Sequence, residues 1–531
     1  MSNKTFYITT AISYVNGAPH LGHAYEAIMT DVMARFKRLD GYDVKFLTGT
    51  DEHGQKVMKT AEENNMDPQP FADMNADKFR AMTGLLDISN DDFIRTSEAR
   101  HHDAAQDMWQ KLQENGDIYL DRYTGWYSQR EEGYFTEDEL HEDPESGIKF
   151  TENGTEVVWH EEESYFFKLS EYTDKLLAHY AAHPEFIRPA TRRNEVVSFV
   201  KQGLKDLSIS RHKDKLKWGI PVPGDDNHVM YVWLDALTNY ITGAGYPDQD
   251  SAEFQKFWPA DYHVIGKDIT RFHAVYWPAF LMAAGLDLPK TVFAHGFINV
   301  QGEKMSKSLG NVLSPEGLVD TYGLDPLRYL LMREIPHGQD GTFAHAYAVQ
   351  RINADLANGI GNLAQRTLSM IHKNCDAQIP ALGDFNDEDK RLLDLAYGEM
   401  LPTARGKMDD FAIHRAMEDI WRVVSEANGY VDAQAPWALK KTDPARMNTV
   451  LYVLAEIIRC VAIMIQPVTP KSANIMLYQL KIPADERLFA HIASDYALKS
   501  GTAIDKPEGV FPRLADHVEP VDNADNADAA E

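Results

Sequence analysis

Hydrophobic spacing changes period twice along the first stretch of the chain. Residues 4–12 (KTFYITTAI) make a short, β-branched apolar run, the pattern of a buried strand. Gly17 and Pro19 punctuate a loop. From Leu21 the spacing lengthens to about 3.6 residues, so that Leu21, Tyr25, Ile28, Met29, Val32, Met33, Phe36 and Leu39 share one helix face. Gly41 stops that helix and YDVKFLTGT resumes as a strand. Strand, helix and strand in this order make a βαβ crossover, so the sheet is parallel and ligands belong at the carboxyl ends of its strands.

Residues 54–115 read as helices packed on that unit, ending at Gly116. From Asp117 to about Gly224 the texture turns to short strand-like runs (IYLDRYTGWYS, VVWHEEESYFFKL), with a helix around Tyr172 to Ala182. The parallel-sheet pattern returns from His228 in HVMYVWLDAL, DYHVIGKDI and TVFAHGFINV, with a helix over Arg271 to Ala284. Beyond about Phe343 only helical periodicity is present, through 346–372, 388–409, 412–431, 446–466 and 470–480. The expected fold is α/β: a doubly wound, Rossmann-like parallel sheet in two halves (1–116 and 226–300) around an inserted connective domain (117–225). A linking region (301–345), an all-α helix bundle (346–510) and a tail (511–531) follow.

Composition narrows the class. At 531 residues, 44% hydrophobic and 25% charged, the chain has the make-up of a globular protein of several domains. Two cysteines, Cys375 and Cys460, exclude a disulfide scaffold and suit a reducing compartment. No leader pattern and no stretch near the roughly 18 apolar residues of a membrane span is read, so a cytoplasmic protein without a membrane partner is expected. The net charge of −28 opposes non-specific nucleic-acid binding, but local positive surface decides phosphate contacts. Residues 188–217 carry nine Lys and Arg, which read equally as a solvated basic face or an RNA-contacting one. The last eighteen residues are acidic and small, the composition of a disordered tail.

Two short motifs carry chemistry. His20-Leu21-Gly22-His23 falls where the first strand gives way to its helix, a corner that already attracts anions through free N–H groups. Gly22 leaves room for a ligand beside the backbone. Lys304-Met305-Ser306-Lys307-Ser308, flanked by Gly302 and Gly310, sets two mobile ammonium groups within reach of phosphate. Alone, the first could be two histidines capping a helix and the second an exposed basic turn. Together they resemble the paired signatures of class I aminoacyl-tRNA synthetases. Gly49-Thr50-Asp51-Glu52-His53-Gly54, Tyr231-Val232-Trp233-Leu234-Asp235-Ala236, Gly266-Lys267-Asp268-Ile269, Phe272-His273 and Trp277-Pro278-Ala279 extend the resemblance over essentially the whole chain, and it is nearest to the methionyl-tRNA synthetases.

That resemblance implies roles for particular residues. Ala11, Ile12, Tyr14, Val232, Trp233, Tyr240, Phe272 and His273 would wall a methionine pocket, with Asp51 on the amino group. The aromatic residues among them read equally as ordinary core. His20, Gly22 and His23 would hold ATP, Gly266 and Asp268 its ribose, and Lys304 and Lys307 the departing pyrophosphate. ATP would arrive with Mg²⁺, and Asn362, Arg366 and Trp437 would read the CAU anticodon of tRNA(Met), unless Trp437 is a core tryptophan. Relatives with a zinc knuckle carry Cys-x-x-Cys pairs where this chain has Ser128 and Glu131, so no structural zinc is expected. In its place Tyr127, Tyr134, Phe135, Trp159 and Tyr165 would supply packing. The insertion looks too short for a separate editing domain, and the absence of an appended dimerisation domain points to a monomer. A cysteine or branched-chain synthetase, a small nucleotidyltransferase and a silent tRNA-binding relative are the alternatives.

Overall fold

The computed structural model describes residues 4–128, 133–135, 137–144, 146–152, 154–305 and 311–515. Its centre is a parallel sheet built from β1 (Thr5–Thr10), β2 (Ser13–Tyr14), β3 (Asp43–Asp51), β4 (Asp92–Arg95), β5 (Ile187–Arg188), β6 (Tyr262–Gly266) and β7 (Val292–His295). The order across the sheet is β4-β3-β1-β6-β7-β5, with β2 also on β3. Strand order therefore reverses between β1 and β6, where Ile8 to Thr10 pair with Tyr262 to Val264. Side chains alternate across this sheet as the two-residue period requires. Phe6, Ile8, Phe46, Val264 and Phe293 enter one core, while Tyr7, Leu47, Ile265, Val292 and Ala294 enter the other.

Helix α1 (Leu21–Leu39) covers the first face, buries the apolar positions counted in the sequence except the half-buried Leu39, and carries Lys37 and Arg38 in its last turn, where cations complement the helix dipole. That core runs on into the helical domain. Inside α1, the buried Asp31 accepts from Arg328 of the helical half at 2.6 Å, as well as from Arg35 and Ser89. Behind the other face lies α2 (Ala99–Glu114), which packs against α3 (Val232–Thr242).

The inserted region is less separate than its sequence texture predicts. An antiparallel hairpin, Ile118–Ser128 with Glu156–Phe167, leads it. The chain then returns to the main sheet as β5 before a three-stranded sheet of Ser210–His212, Asp225–Met230 and Pro221–Val222. Three sequence assignments are corrected here. His228 to Met230, read as a return of the parallel sheet, pair antiparallel in that separate three-stranded sheet. Asp92–Arg95 is a strand within a region read as all helix, and Trp233 to Leu237 are helical although their run of apolar residues reads as a strand. Trp159, expected to pack, is 57% exposed and meets the edge of Trp126 at a centroid distance of 5.4 Å. The basic stretch is not one surface, because Arg211 is buried, Arg188 is held by the Asp409 carbonyl and Arg192 by Glu195.

The C-terminal half is helical: α4 (Leu324–Glu334), α5 (Asn362–Asn374), α6 (Ile413–Gln434), α7 (Pro436–Thr442), α8 (Pro444–Ile465) and α9 (Pro470–Gln479) are its main members. Against the sequence expectation, α8 is long and apolar enough to cross a membrane, with a mean hydropathy of 1.8. It is nevertheless 94% buried inside the bundle, and its buried Glu456 and Arg459 pair at 2.6 Å, as in the core helix of a folded domain. The acidic tail expected from the sequence lies outside the described residues from 516 onward.

Candidate active site

The chain's deep cleft, about 1010 Å³, opens at the β1–β6 reversal, the place an open parallel sheet reserves for ligands. Ala11, Ile12 and Tyr14 follow β1, Asp51 closes β3, Gly266 ends β6 and Asp268 follows it. Trp233 and Tyr240 project from α3, and Phe272 and His273 from the first, π-wound turn of the helical segment Phe272–Tyr276. All of them line the cleft together with His20, Gly22 and His23. Val232, the remaining residue expected in the pocket wall, does not line it; this first residue of α3 is buried behind it. A Cβ at Gly54, whose φ is +106°, would come within 2.7 Å of Val232 Cγ2, so only glycine leaves room for this contact.

At the helix end of the cleft the two histidines cap α1 reciprocally. His20 Nδ1 accepts from the Gly22 N–H at 3.0 Å, and His23 Nδ1 accepts from the His20 N–H at 3.1 Å. With Nδ1 engaged as an acceptor, a neutral His23 carries its proton on Nε2. The ring stays neutral, because burial first and His20 second hold its pKa well below the ordinary imidazole value. The two rings lie 3.9 Å apart, and His23 sits edge-on to Phe79. Gly22 matters for the cap, since a Cβ there would lie 2.9 Å from His20 Cε1.

The second motif reaches the first. Lys304 ends a short strand paired with Ile298–Val300, with Asn299 as its partner, and Ile298 lines the cleft. Met305 also lines the cleft, its Cε 3.9 Å from the Cβ position of Gly22. The Leu21 N–H donates to Leu313 O at 2.9 Å, which ties the far side of that loop to the same helix end. Lys307 lies outside the described residues.

The opposite end is aromatic. Trp233 and Phe272 stack at 3.7 Å with 7° between their planes. The Ile269 carbonyl can only accept, so His273 donates to it through Nδ1 at 2.9 Å, and its Nε2 accepts from the Tyr240 hydroxyl at 2.6 Å. Burial lowers His273 to about 4 and raises Tyr240 well above its ordinary value, so both groups are uncharged at neutral pH. Behind Tyr240, His263 stacks at 4.0 Å and bonds Thr9 and Trp277. Asp51, 3% exposed, lines the same cleft, as does Lys56.

Sequence reasoning missed Glu26 and His295, which line the cleft and pair at 2.9 Å. Glu26 also accepts from the Ala11 N–H, and this pairing holds His295 above the ordinary imidazole value. Glu26 stands about 100° round α1 from Tyr25, at the flank of the face counted in the sequence, so periodicity did not single it out.

On the bundle, Asn362 opens α5 and is exposed, and Arg366 one turn later reaches over the Trp437 ring at 5.5 Å and pairs with Asp432 at 3.7 Å. Trp437 is 49% exposed, which removes the reading of it as core. Ala435 in the left-handed region (φ 43°) turns α6 into α7 and presents Trp437. In the inserted region Ser128 ends its strand, while Glu131 lies outside the described residues. Hydroxyl and carboxylate do not make the thiolate or imidazole set of a structural zinc. Among the described residues no group of three or more His, Cys, Asp or Glu is placed to hold a metal ion.

A nucleotide-type cleft with an imidazole-capped helix, joined to a helical bundle bearing an exposed tryptophan, is the arrangement of a class I tRNA synthetase. A family model described as tRNA synthetases class I (M) matches residues 6–368, and one described as the anticodon binding domain of methionyl tRNA ligase matches 379–523. The methionine–tRNA ligase of Mesorhizobium japonicum is 58% identical over 97% of this chain and 99% of its own, and that of Mycobacterium bovis 54% identical over 96% and 98%. A crystal structure of Mycobacterium tuberculosis methionyl-tRNA synthetase bound by methionyl-adenylate superposes with a TM-score of 0.92 at 54% identity, covering 96% of this chain and all of that one. The chain belongs to the methionyl-tRNA synthetase family.

Proposed function

We propose that the protein is a methionine–tRNA ligase, and the observation that carries this is one cleft lined together by the paired imidazoles, Asp51 and the stacked Trp233 and Phe272. The carboxylate of L-methionine attacks the α-phosphorus of ATP, an O–P bond forms, the bond to the β-phosphate bridging oxygen breaks, and pyrophosphate leaves. The protein supplies no nucleophile; positioning and charge stabilisation carry the step. His23 and His20 donate to the phosphates, Gly266 and Asp268 hold the ribose, and Lys304 and Lys307 take up charge on the departing pyrophosphate. ATP brings Mg²⁺, held chiefly by phosphate and water. Asp51 receives the ammonium, and the thioether lies against Trp233, Phe272 and Tyr240, where sulfur meets aromatic rings. The 3′-terminal ribose hydroxyl of tRNA(Met) then attacks the adenylate carbonyl, releasing AMP. Asn362, Arg366 and Trp437 read the CAU anticodon. The enzyme acts in the cytoplasm as a monomer without structural zinc and supplies both initiation and elongation.

ATP–pyrophosphate exchange without tRNA, run across all twenty amino acids, tests the reading. Exchange with methionine alone is expected; exchange with another amino acid, or with none, overturns it. A stoichiometric zinc signal in metal analysis of the purified protein overturns the zinc-free assignment.

A further inference from the structure

Around Asp51, the residues of the DEHG turn that never reach the cleft are each fixed by a different element. Glu52 is fully buried. It accepts from Arg95 of β4 at 2.6 and 2.9 Å and from Thr50 at 2.7 Å, and its own N–H donates to the Thr96 hydroxyl at 2.9 Å. On the other side of the chain His53, 2% exposed, donates through Nδ1 to Asp235 Oδ2 at 2.6 Å. Asp235 is fully buried in the first turn of α3, and its second oxygen receives Nε2 of the equally buried His101, from α2, at 2.7 Å. His101 Nδ1 in turn meets Thr242 at the far end of α3, at 3.2 Å. The two imidazoles hold the Asp235 carboxyl below its usual range.

Neither oxygen of Asp235 is left for a surface cation: one joins the ammonium-site turn to the helix of the pocket wall through His53, and the other ties that helix to α2 through His101. Burying a carboxylate is costly unless every lone pair is answered, and here the cost falls beside the cleft. Asp235 stands between Trp233, which stacks on Phe272, and Tyr240, which fixes His273, and all of these line the cleft.

We infer that the His53–Asp235–His101 triad is a positioning device that sets the separation between Asp51 and the aromatic wall, and hence the affinity for the amino acid rather than for the nucleotide. The inference rests on the methionine-pocket reading. A displacement of about 1 Å at a reacting centre is enough to cost about a hundredfold.

Asp235→Ala and His53→Ala, singly and together, are compared in pyrophosphate exchange, with His53→Gln as the variant that keeps a side-chain donor. The expected result is a methionine KM raised at least tenfold in each alanine variant, an ATP KM changed less than twofold, no further rise in the double variant, and partial recovery in His53→Gln. Additive losses, equal rises in both KM values, or an unchanged methionine KM overturn the inference. Should Asp235→Ala fail to fold, His53→Ala against His53→Gln decides by the same criteria. If wild-type protein shows no methionine-dependent exchange, the functional reading fails first, and the variants are then compared by tryptophan fluorescence under methionine titration, where equal midpoints refute the triad.

Discussion

Arg328 offers the sharpest test of how the catalytic unit is held to the helical domain. Its guanidinium is fully buried and donates to Asp31 Oδ2 (2.6 Å), Leu86 O (3.0 Å), Pro467 O (2.9 Å) and Val468 O (3.1 Å). One side chain thereby joins the active-site helix α1, the turn after the helix ending at Leu85, and the corner between α8 and α9. In Arg328→Met the stem volume is kept and the donors are lost. Asp31 retains Arg35 and both Ser89 contacts, so its charge is not stranded. The three carbonyls lose their partner, each costing about 1–3 kcal/mol when left dry, so about 3–9 kcal/mol is at stake. A loss of about 4 kcal/mol is expected in urea unfolding, and Asp31→Asn added to it should cost less than the sum of the two single changes. A loss below about 1 kcal/mol, or strict additivity, would show that the network does not act as a unit.

Three further outcomes follow from the geometry. Trp437→Ala removes an exposed ring, and base–aromatic stacking is worth about 1–3 kcal/mol, so kcat/KM for tRNA should fall about 5- to 150-fold while pyrophosphate exchange stays unchanged. Gly22→Ala pushes a methyl group against His20 Cε1, and the ATP KM should rise with little change in the methionine KM. His273 is depressed to about 4 when folded and titrates near 6.5 when unfolded, so its neutral form stabilises the fold above pH 6.5 and that contribution is lost as pH falls toward 4. Between pH 7 and pH 5 the wild type should lose about 2 kcal/mol more than His273→Asn, measured by urea unfolding at both values.

Much of this site is readable from sequence because spacing and motif agree there. The change of period at Leu21 locates α1, and the histidine pair falls at its start, where the structure has both rings capping the helix. What escapes has physical causes. Trp233 to Leu237 are apolar apart from Asp235, because α3 is almost wholly buried, and so short an apolar run has no period to distinguish it from a strand. Asp92–Arg95 is too short, and too charged at its ends, to announce a strand. Asp31, Arg328 and Asp235 look like surface residues by type; their burial depends on partners from distant segments that no local pattern encodes. The aromatic wall was ambiguous for the opposite reason, since Tyr240 and His273 are both buried and at the cleft.

The strand order has a consequence for how the chain is made. The Tyr7 N–H waits for the carboxylate of Asp261, which is 254 residues downstream. At about 5–20 residues per second that stretch takes about 13–50 s to synthesise. For that interval one edge of β1 faces a nascent chain in which its permanent neighbour does not yet exist. The inserted hairpin, complete by Phe167, emerges within the same window, and its antiparallel strands can close on each other without the rest of the sheet.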